Sequence, residues 1–146
     1  KVLFSGLGSE ELFAGYQRHL DVLKREGDVN AECLLGLAQL WERDLYRDDL
    51  ITMANTVELR LPYLDYGLIR LALSIPAKYK IDETQNKKIL RETAQQMGIP
   101  QEIASRKKIA AQYGSNFDKA LEKLAKKAGC KSKKEYLESM SKKETL

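Results

Sequence analysis

Residues 2–16 read VLFSGLGSEELFAGY, and their pattern of apolar, glycine and acidic residues indicates the fold class. Val2-Leu3-Phe4 is a short apolar run that predicts a buried β-strand, and the two glycines that follow predict a tight turn. Ser9 is a typical helix N-cap, and the two glutamates after it favour the positive end of a helix dipole. The pattern therefore predicts a strand, a glycine turn and a helix in succession.

This βα unit predicts a parallel sheet whose other strands lie upstream of the chain. A single strand cannot form a sheet, and parallel sheets carry helices on both faces. The first helix is predicted to run to about Arg25. Residues 57–65 alternate apolar and charged side chains, but Pro62 favours an extended loop there. We therefore expect an α/β parent fold, represented here by a mostly helical chain with one N-terminal strand.

Composition excludes several classes of protein. The chain has 146 residues, of which 43% are hydrophobic, and this is enough for one folded domain. One histidine and two cysteines do not suffice for a zinc cluster, a Ser-His-Asp triad or a disulfide framework. We expect a reducing, cytoplasmic location. No apolar run approaches the roughly 20 residues that a membrane helix needs, so we expect no membrane partner.

Positive charge is concentrated near the C-terminus. Residues 119–146 contain nine lysines and four glutamates, whereas the whole chain carries a formal charge of +4. Tyr136 is the one aromatic residue in this segment, so the base-stacking surface typical of nucleic-acid proteins is missing and a nucleic-acid partner is not expected. We predict a basic helical tail over residues 116–146, following a domain portion over residues 1–115.

The glycine turn is the main candidate for chemistry. Gly6 and Gly8 would let the backbone approach a ligand, and the following helix would offer N–H groups to an anion. Glu10 and Glu11 would repel a bare phosphate, but a Mg²⁺ ion between carboxylate and phosphate removes this conflict. The residues thus favour a nucleotide and magnesium site, and the alternative is a structural turn with a well-capped helix.

Other charged pairs leave two interpretations open. Glu58 and Arg60 lie on one face of an extended segment, so they either pair with each other or line a site. Asp44 and Arg47 are neighbours on a helix and carry the same ambiguity. Trp41 is predicted to lie in the core.

Four segments in order resemble the synthetase domain of the asparagine synthetase family. They are SGLGSEELFAGY (residues 5–16), MANTVELRLPYLD (53–65), KKILR (87–91), and PQEI followed by RKK (100–103 and 106–108). The resemblance covers roughly residues 1–115. It implies part of an adenine nucleotide alpha hydrolase-like fold and an ATP pyrophosphatase that activates a carboxylate as an acyl-adenylate for amidation.

The resemblance also implies cofactors, partners and site residues. ATP and Mg²⁺ are the expected cofactors. The expected partners are an upstream half of the domain, or a separate chain with the pyrophosphate loop, and a glutaminase domain. The implied site residues are Ser5, Gly6, Gly8 and Lys87 for ATP, Glu10 for the metal, and Lys108 and Glu11 for catalysis.

The chain departs from the family pattern in two respects. Leu7 stands where the family has an acid, and leucine can neither ionise nor accept a proton. The Ser-Gly-Gly-x-Asp-Ser pyrophosphate loop does not occur in this sequence. We therefore expect the 146 residues alone not to turn over ATP, and a non-catalytic adaptor that keeps the fold is the alternative function.

Overall fold

The computed structural model describes residues 1–107, 109 and 111–141. The chain contains two compact units, Lys1–Ser105 and Arg106–Leu146. The domain boundary expected after residue 115 remains a prediction, because compactness does not by itself define a domain.

The first unit contains a two-stranded parallel sheet. Strand β1 (Val2–Phe4) pairs with β2 (Glu58–Arg60), and Leu3 lies opposite Leu59. The prediction of one strand and an extended loop is therefore wrong, because Pro62 lies beyond β2 and leaves its N–H groups free to pair. The β1 side chains are also exposed rather than buried, with Phe4 at 72%, since no helix among the described residues covers them.

Helices form most of the first unit. Their bounds are α1 (Ser9–Leu12), α2 (Gln17–Lys24), α3 (Val29–Ala38), a π-helical turn (Trp41–Leu45), α4 (Tyr46–Ala54), a 3-10 turn (Pro62–Leu64), α5 (Tyr66–Ser74), α6 (Ala77–Lys80), α7 (Lys88–Gln96) and α8 (Gln101–Ala104). Aspartates begin two of these helices: the Asp28 carboxylate accepts from the N–H groups of Asn30 and Ala31, and Asp65 accepts from Leu68.

The single helix predicted up to Arg25 is divided into α1 and α2. Ala14 adopts a left-handed φ of 55°, and the N–H of Gly15 donates to the Glu10 carbonyl at 2.8 Å. This reversal ends α1 after one turn. It also lets both Leu12 and Ala14 enter the core, where each is fully buried.

Two apolar clusters hold the unit together. The first is formed by Ala14, Val29, Cys33 and Ile81, and the second by Leu12, Phe13 and Ala72. They link the first three helices to α5 and to the segment before α7. Trp41 is 57% exposed, so its predicted place in the core is wrong; it packs beside the ring of Tyr46 instead.

The second unit contains α9 (Ala111–Gly114), α10 (Phe117–Lys127) and α11 (Lys133–Ser141). The ammonium of Lys133 on α11 lies 2.5 Å from the Asp118 carboxylate on α10. Ser132 caps α11 by accepting from the Glu135 N–H, as the sequence predicts. Within the part of the chain that the structure describes, no helix has the length and apolar character needed to cross a membrane.

Candidate functional site

The glycine turn that follows β1 is packed tightly on one side and open on the other. Gly8 has a φ of 91°, and a Cβ atom there would lie 2.5 Å from Cδ2 of Leu64. A Cβ atom on Gly6 would meet nothing within 4 Å. Ser5 closes the turn, since its hydroxyl accepts from the Leu7 N–H at 3.3 Å. The turn therefore rests on the Pro62–Leu64 segment and leaves the Gly6 backbone accessible.

Glu10 and Lys87 form an ion pair beside this turn. The Lys87 Nζ lies 2.8 Å from Glu10 Oε1 and 3.5 Å from the Ser9 hydroxyl. The Glu10 side chain is 9% exposed and that of Lys87 is 16% exposed. Partial burial weakens solvent screening, so this pair is stronger than an ordinary surface pair.

The segment before α7 carries Lys87 to Glu10. Lys87 adopts a left-handed φ of 52°, and Asn86 donates from its side-chain amide to the Gly15 carbonyl at 2.8 Å. A Cβ atom on Gly15 would lie 1.7 Å from Glu10 Oε2 and 2.5 Å from Lys87 Cε. Glycine at position 15 is therefore a condition for the ion pair.

Glu11 faces a different environment. Its carboxylate is 1% exposed and pairs with Nη2 of Arg43, while its second oxygen, Oε2, has no hydrogen-bond partner among the described residues. Arg43 also donates to Asp44 at 2.7 Å and to the Tyr16 hydroxyl at 3.4 Å. Burial disfavours the Arg43 charge, but hydrogen bonds to Asp44 and Glu11 outweigh it and raise the pKa of Arg43.

Tyr16 lies beside Glu11, and the His19 ring stacks on the Tyr16 ring with centroids 5.8 Å apart. Burial and the nearby Glu11 charge raise the pKa of Tyr16 to about 12. Burial, aided by the Arg18 charge, lowers the pKa of His19 to about 4. His19 Nδ1 accepts from the Tyr16 N–H at 3.1 Å, so the neutral imidazole serves as a cap for α2.

The described residues supply only some of the ligands that a divalent cation needs. No group of three His, Cys, Asp or Glu side chains in the described ranges could hold a metal ion. Glu10 offers one carboxylate at the edge of the turn, and Mg²⁺ is commonly held by one or two carboxylates together with phosphate oxygens. The donor set therefore suits Mg²⁺ bound with a nucleotide rather than Mg²⁺ bound alone.

The structure brings most of the predicted site residues together. Glu10 and Lys87 are in contact, and Ser5, Gly6 and Gly8 form the adjacent turn. Glu11 is buried against Arg43, and Lys108 lies outside the described residues. Their proposed roles remain predictions.

Sequence reasoning missed Arg43. Its signal is weak, because Arg43 lies in a cluster of charged residues that reads equally well as a solvated helix face. The other charged residues considered from the sequence pair with each other: Arg47 lies 3.3 Å from Asp44, and Arg60 lies 2.6 Å from Glu58. A role for either pair in lining a site remains a prediction.

Comparisons with known proteins identify the family of this chain. A family model described as asparagine synthase matches residues 21–146. A protein of Methanocaldococcus jannaschii named "Putative asparagine synthetase (glutamine-hydrolyzing) 1" is 38% identical over 98% of this chain and 33% of its own length.

Two animal proteins are also similar. Asparagine synthetase domain-containing protein 1 of Mus musculus is 36% identical over 90% of this chain and 22% of its own length. Human asparagine synthetase (glutamine-hydrolyzing) is 37% identical over 77% of this chain and 20% of its own length. The chain thus spans a third or less of the length of these curated relatives. The matched residues and the shared segments show that the chain belongs to the asparagine synthase family.

Proposed function

We propose that this chain supplies the metal- and phosphate-contacting part of an asparagine-synthetase-like ligase. The observation that supports this most is the Glu10–Lys87 pair beside the glycine turn, in a chain of this family. A carboxylate suits Mg²⁺, and a lysine ammonium is a point charge suited to phosphate oxygens. When MgATP binds, the Glu10–Lys87 ion pair would separate. Glu10 would then bind Mg²⁺, and Lys87 would contact phosphate oxygens.

The proposed reaction joins a carboxylate to ammonia in two steps. A carboxylate oxygen attacks the α-phosphorus of ATP, and pyrophosphate leaves as the acyl-adenylate forms. Ammonia then attacks the acyl carbon, and AMP leaves with the original carboxylate oxygen while a proton is released. ATP supplies the leaving groups, and Mg²⁺ would neutralise charge on the phosphates.

Individual residues take distinct proposed roles. Ser5, Gly6 and Gly8 would present the backbone of the turn to the nucleotide, and Glu10 would hold the metal. Lys108 would stabilise negative charge that develops during adenylation.

The rest of the site is proposed to come from outside this chain. An upstream half of the domain, or a separate chain, would carry the pyrophosphate loop, and a glutaminase domain would supply ammonia. Cys33 and Cys130 are both unpaired, which is typical of the reducing cytoplasm, where we place this reaction.

The test uses the complete protein that contains this chain. It is mixed with MgATP, ammonia and a series of amino acids beginning with aspartate, and the products are separated. We expect AMP and pyrophosphate, with a rate at least about tenfold lower for Glu10→Gln. Lys88→Met is the matched control, because Lys88 pairs with Asp82 and should leave the rate unchanged.

Two results would contradict the proposal. Formation of ADP and inorganic phosphate would assign a different reaction to the site. Failure of the complete protein to bind or consume MgATP would favour the non-catalytic adaptor, for which Leu7 in the turn is the motivating residue.

A further inference from the structure

Helix α1 is held by ion pairs on two sides. Glu10 pairs with Lys87, and Glu11 pairs with Arg43. Adjacent residues on a helix do not face each other, so these two carboxylates leave α1 in different directions. The cations come from separate parts of the chain, one from the segment before α7 and one from the π-helical turn.

A helix as short as α1 cannot fix its own orientation. It has four residues, and Leu12 donates to Gly8 while Phe13 donates to Ser9. One helical turn is costly to nucleate, so tertiary contacts must determine how α1 is rotated about its axis. The buried Leu12 holds the inner side of α1 in the core, and the two ion pairs hold its polar sides.

The π-helical turn Trp41–Leu45 presents Arg43 to Glu11. The Tyr46 N–H donates to the Trp41 carbonyl, which makes this turn one residue wider than an α-helical turn. Three contacts fix the Arg43 guanidinium: Asp44, Glu11 and the Tyr16 hydroxyl. Single π turns are often found at functional sites.

The Glu11 side chain is also closely packed against Gly36 on α3. A Cβ atom on Gly36 would lie 2.8 Å from Arg18 Nη2 and 3.2 Å from Glu11 Cγ. The Arg18 guanidinium stacks 4.3 Å from the centre of the Tyr16 ring. Glu11 is thus enclosed by α2 and α3 and the π-helical turn, and this enclosure does not suit direct contact with a substrate.

In place of the catalytic role predicted for Glu11, we propose that Glu11 and Arg43 are positioning residues. Their ion pair fixes the rotation of α1 and thereby holds Glu10 against Lys87. The functional consequence rests on the proposed MgATP site, whereas the positioning itself is a property of this chain. Loss of Arg43 should disturb Glu10 although the two side chains belong to separate ion pairs.

Zero-length cross-linking tests the positioning directly. A carbodiimide joins a carboxylate to an ammonium in contact, so the complete wild-type protein should yield a Glu10–Lys87 amide that peptide mass spectrometry detects. The Lys88–Asp82 pair, at 2.7 Å, supplies an internal reference. In Arg43→Met, the yield of Glu10–Lys87 relative to Lys88–Asp82 should fall about fivefold, the size expected for coupled neighbours.

Three further variants make the test specific. Glu11→Gln should lower the same ratio, and Arg43→Lys should give an intermediate ratio because it keeps the charge but loses the planar fork. Arg47→Met is the control, since Arg47 shares Asp44 with Arg43 but pairs with Asp44 and Asp48 rather than with Glu11. If Arg43→Met unfolds and loses both cross-links, the cross-link ratios of Glu11→Gln and Arg43→Lys test the positioning role instead.

Nucleotide binding provides a readout that general stability would not change. The dissociation constant of magnesium α,β-methylene-ATP is measured well below the unfolding temperature of each variant. Arg43→Met should bind about fivefold more weakly than wild type, with Arg43→Lys between them. Equal cross-link ratios in wild type, Arg43→Met and Glu11→Gln would overturn the positioning role. A lowered ratio in a protein that does not consume MgATP would keep the positioning role and reject the proposed function.

Discussion

The Glu10 carboxylate and the Lys87 ammonium lie 2.8 Å apart, and the Gly15 backbone lies directly behind them. The two residues are far apart in the sequence, and the fold brings them into contact. Both are mostly buried, so neither charge is well solvated without the other.

Removing Lys87 should therefore destabilise the protein. Lys87→Met leaves the Glu10 carboxylate mostly buried without its ammonium partner, and we expect a loss of about 3 kcal/mol in the free energy of unfolding. Denaturant titration of the complete protein measures this. The more exposed Lys88 provides the control, because Lys88→Met should lower the free energy of unfolding much less. Equal losses for the two variants would contradict the claim that burial strengthens the Glu10–Lys87 pair.

Gly8 should tolerate no side chain. Gly8→Ala places a Cβ atom 2.5 Å from Leu64 at a φ of 91°, so strain and overpacking together should cost about 2 kcal/mol or more of unfolding free energy. Leu64→Ala in the same chain should relieve the overpacking but not the backbone strain. Gly6→Ala, which meets open space, should be near wild type. A Gly8→Ala protein as stable as Gly6→Ala would contradict the packing of the turn.

The sequence predicts the start of the fold better than its connections. The apolar run, the turn and the acidic helix start are local features, so β1 and α1 are predictable from short-range rules. Strand β2 is not, because its pairing with β1 is long-range and the alternation in residues 57–65 equally suits a loop.

In the candidate site, too, local features are predictable from the sequence and long-range contacts are not. Residue type suggests roles for Glu10 and Lys87 separately, but their contact depends on the backbone reversal at Ala14 and the left-handed Lys87. Arg43 is not predictable, because a π-helical turn has no clear sequence signal and determines which charged side chain faces Glu11.

His19 should titrate far below the ordinary range for histidine. Because its folded pKa is about 4 and its unfolded value is near 6.5, the folded state binds fewer protons between these values. The stabilisation from neutral His19 is therefore complete above about pH 6.5 and is lost as the pH falls through about 4. His19→Gln keeps an acceptor for the α2 cap and should show a weaker loss over this window.

Two measurements check this prediction. Proton NMR of the complete protein, with the His19→Gln variant for assignment, gives the pKa of the imidazole. Denaturant unfolding at a series of pH values gives the difference in stability between the two proteins. Titration of His19 near pH 6.5 would contradict its burial.

Lys108 should affect the reaction more than it affects binding. If its ammonium follows charge onto the departing pyrophosphate, Lys108→Ala should lower the single-turnover rate of pyrophosphate release and leave the affinity for MgATP nearly intact. Lys107→Ala is the matched control in the same basic segment. A rate for Lys108→Ala within about threefold of wild type corresponds to less than ~1 kcal/mol of lost transition-state stabilisation. Such a rate would show that Lys108 has no role in the reaction.

Transfer of oxygen from the substrate to AMP distinguishes adenylation of a carboxylate from other uses of ATP. The amino acid that the complete protein accepts as a substrate is labelled with ¹⁸O in its side-chain carboxylate. The protein is incubated with this amino acid, MgATP and ammonia, and the AMP is analysed by mass spectrometry. An acyl-adenylate leaves one carboxylate oxygen on AMP, so we predict AMP that contains one ¹⁸O atom. AMP without the label, or label found in pyrophosphate or inorganic phosphate, would contradict carboxylate adenylation at this site.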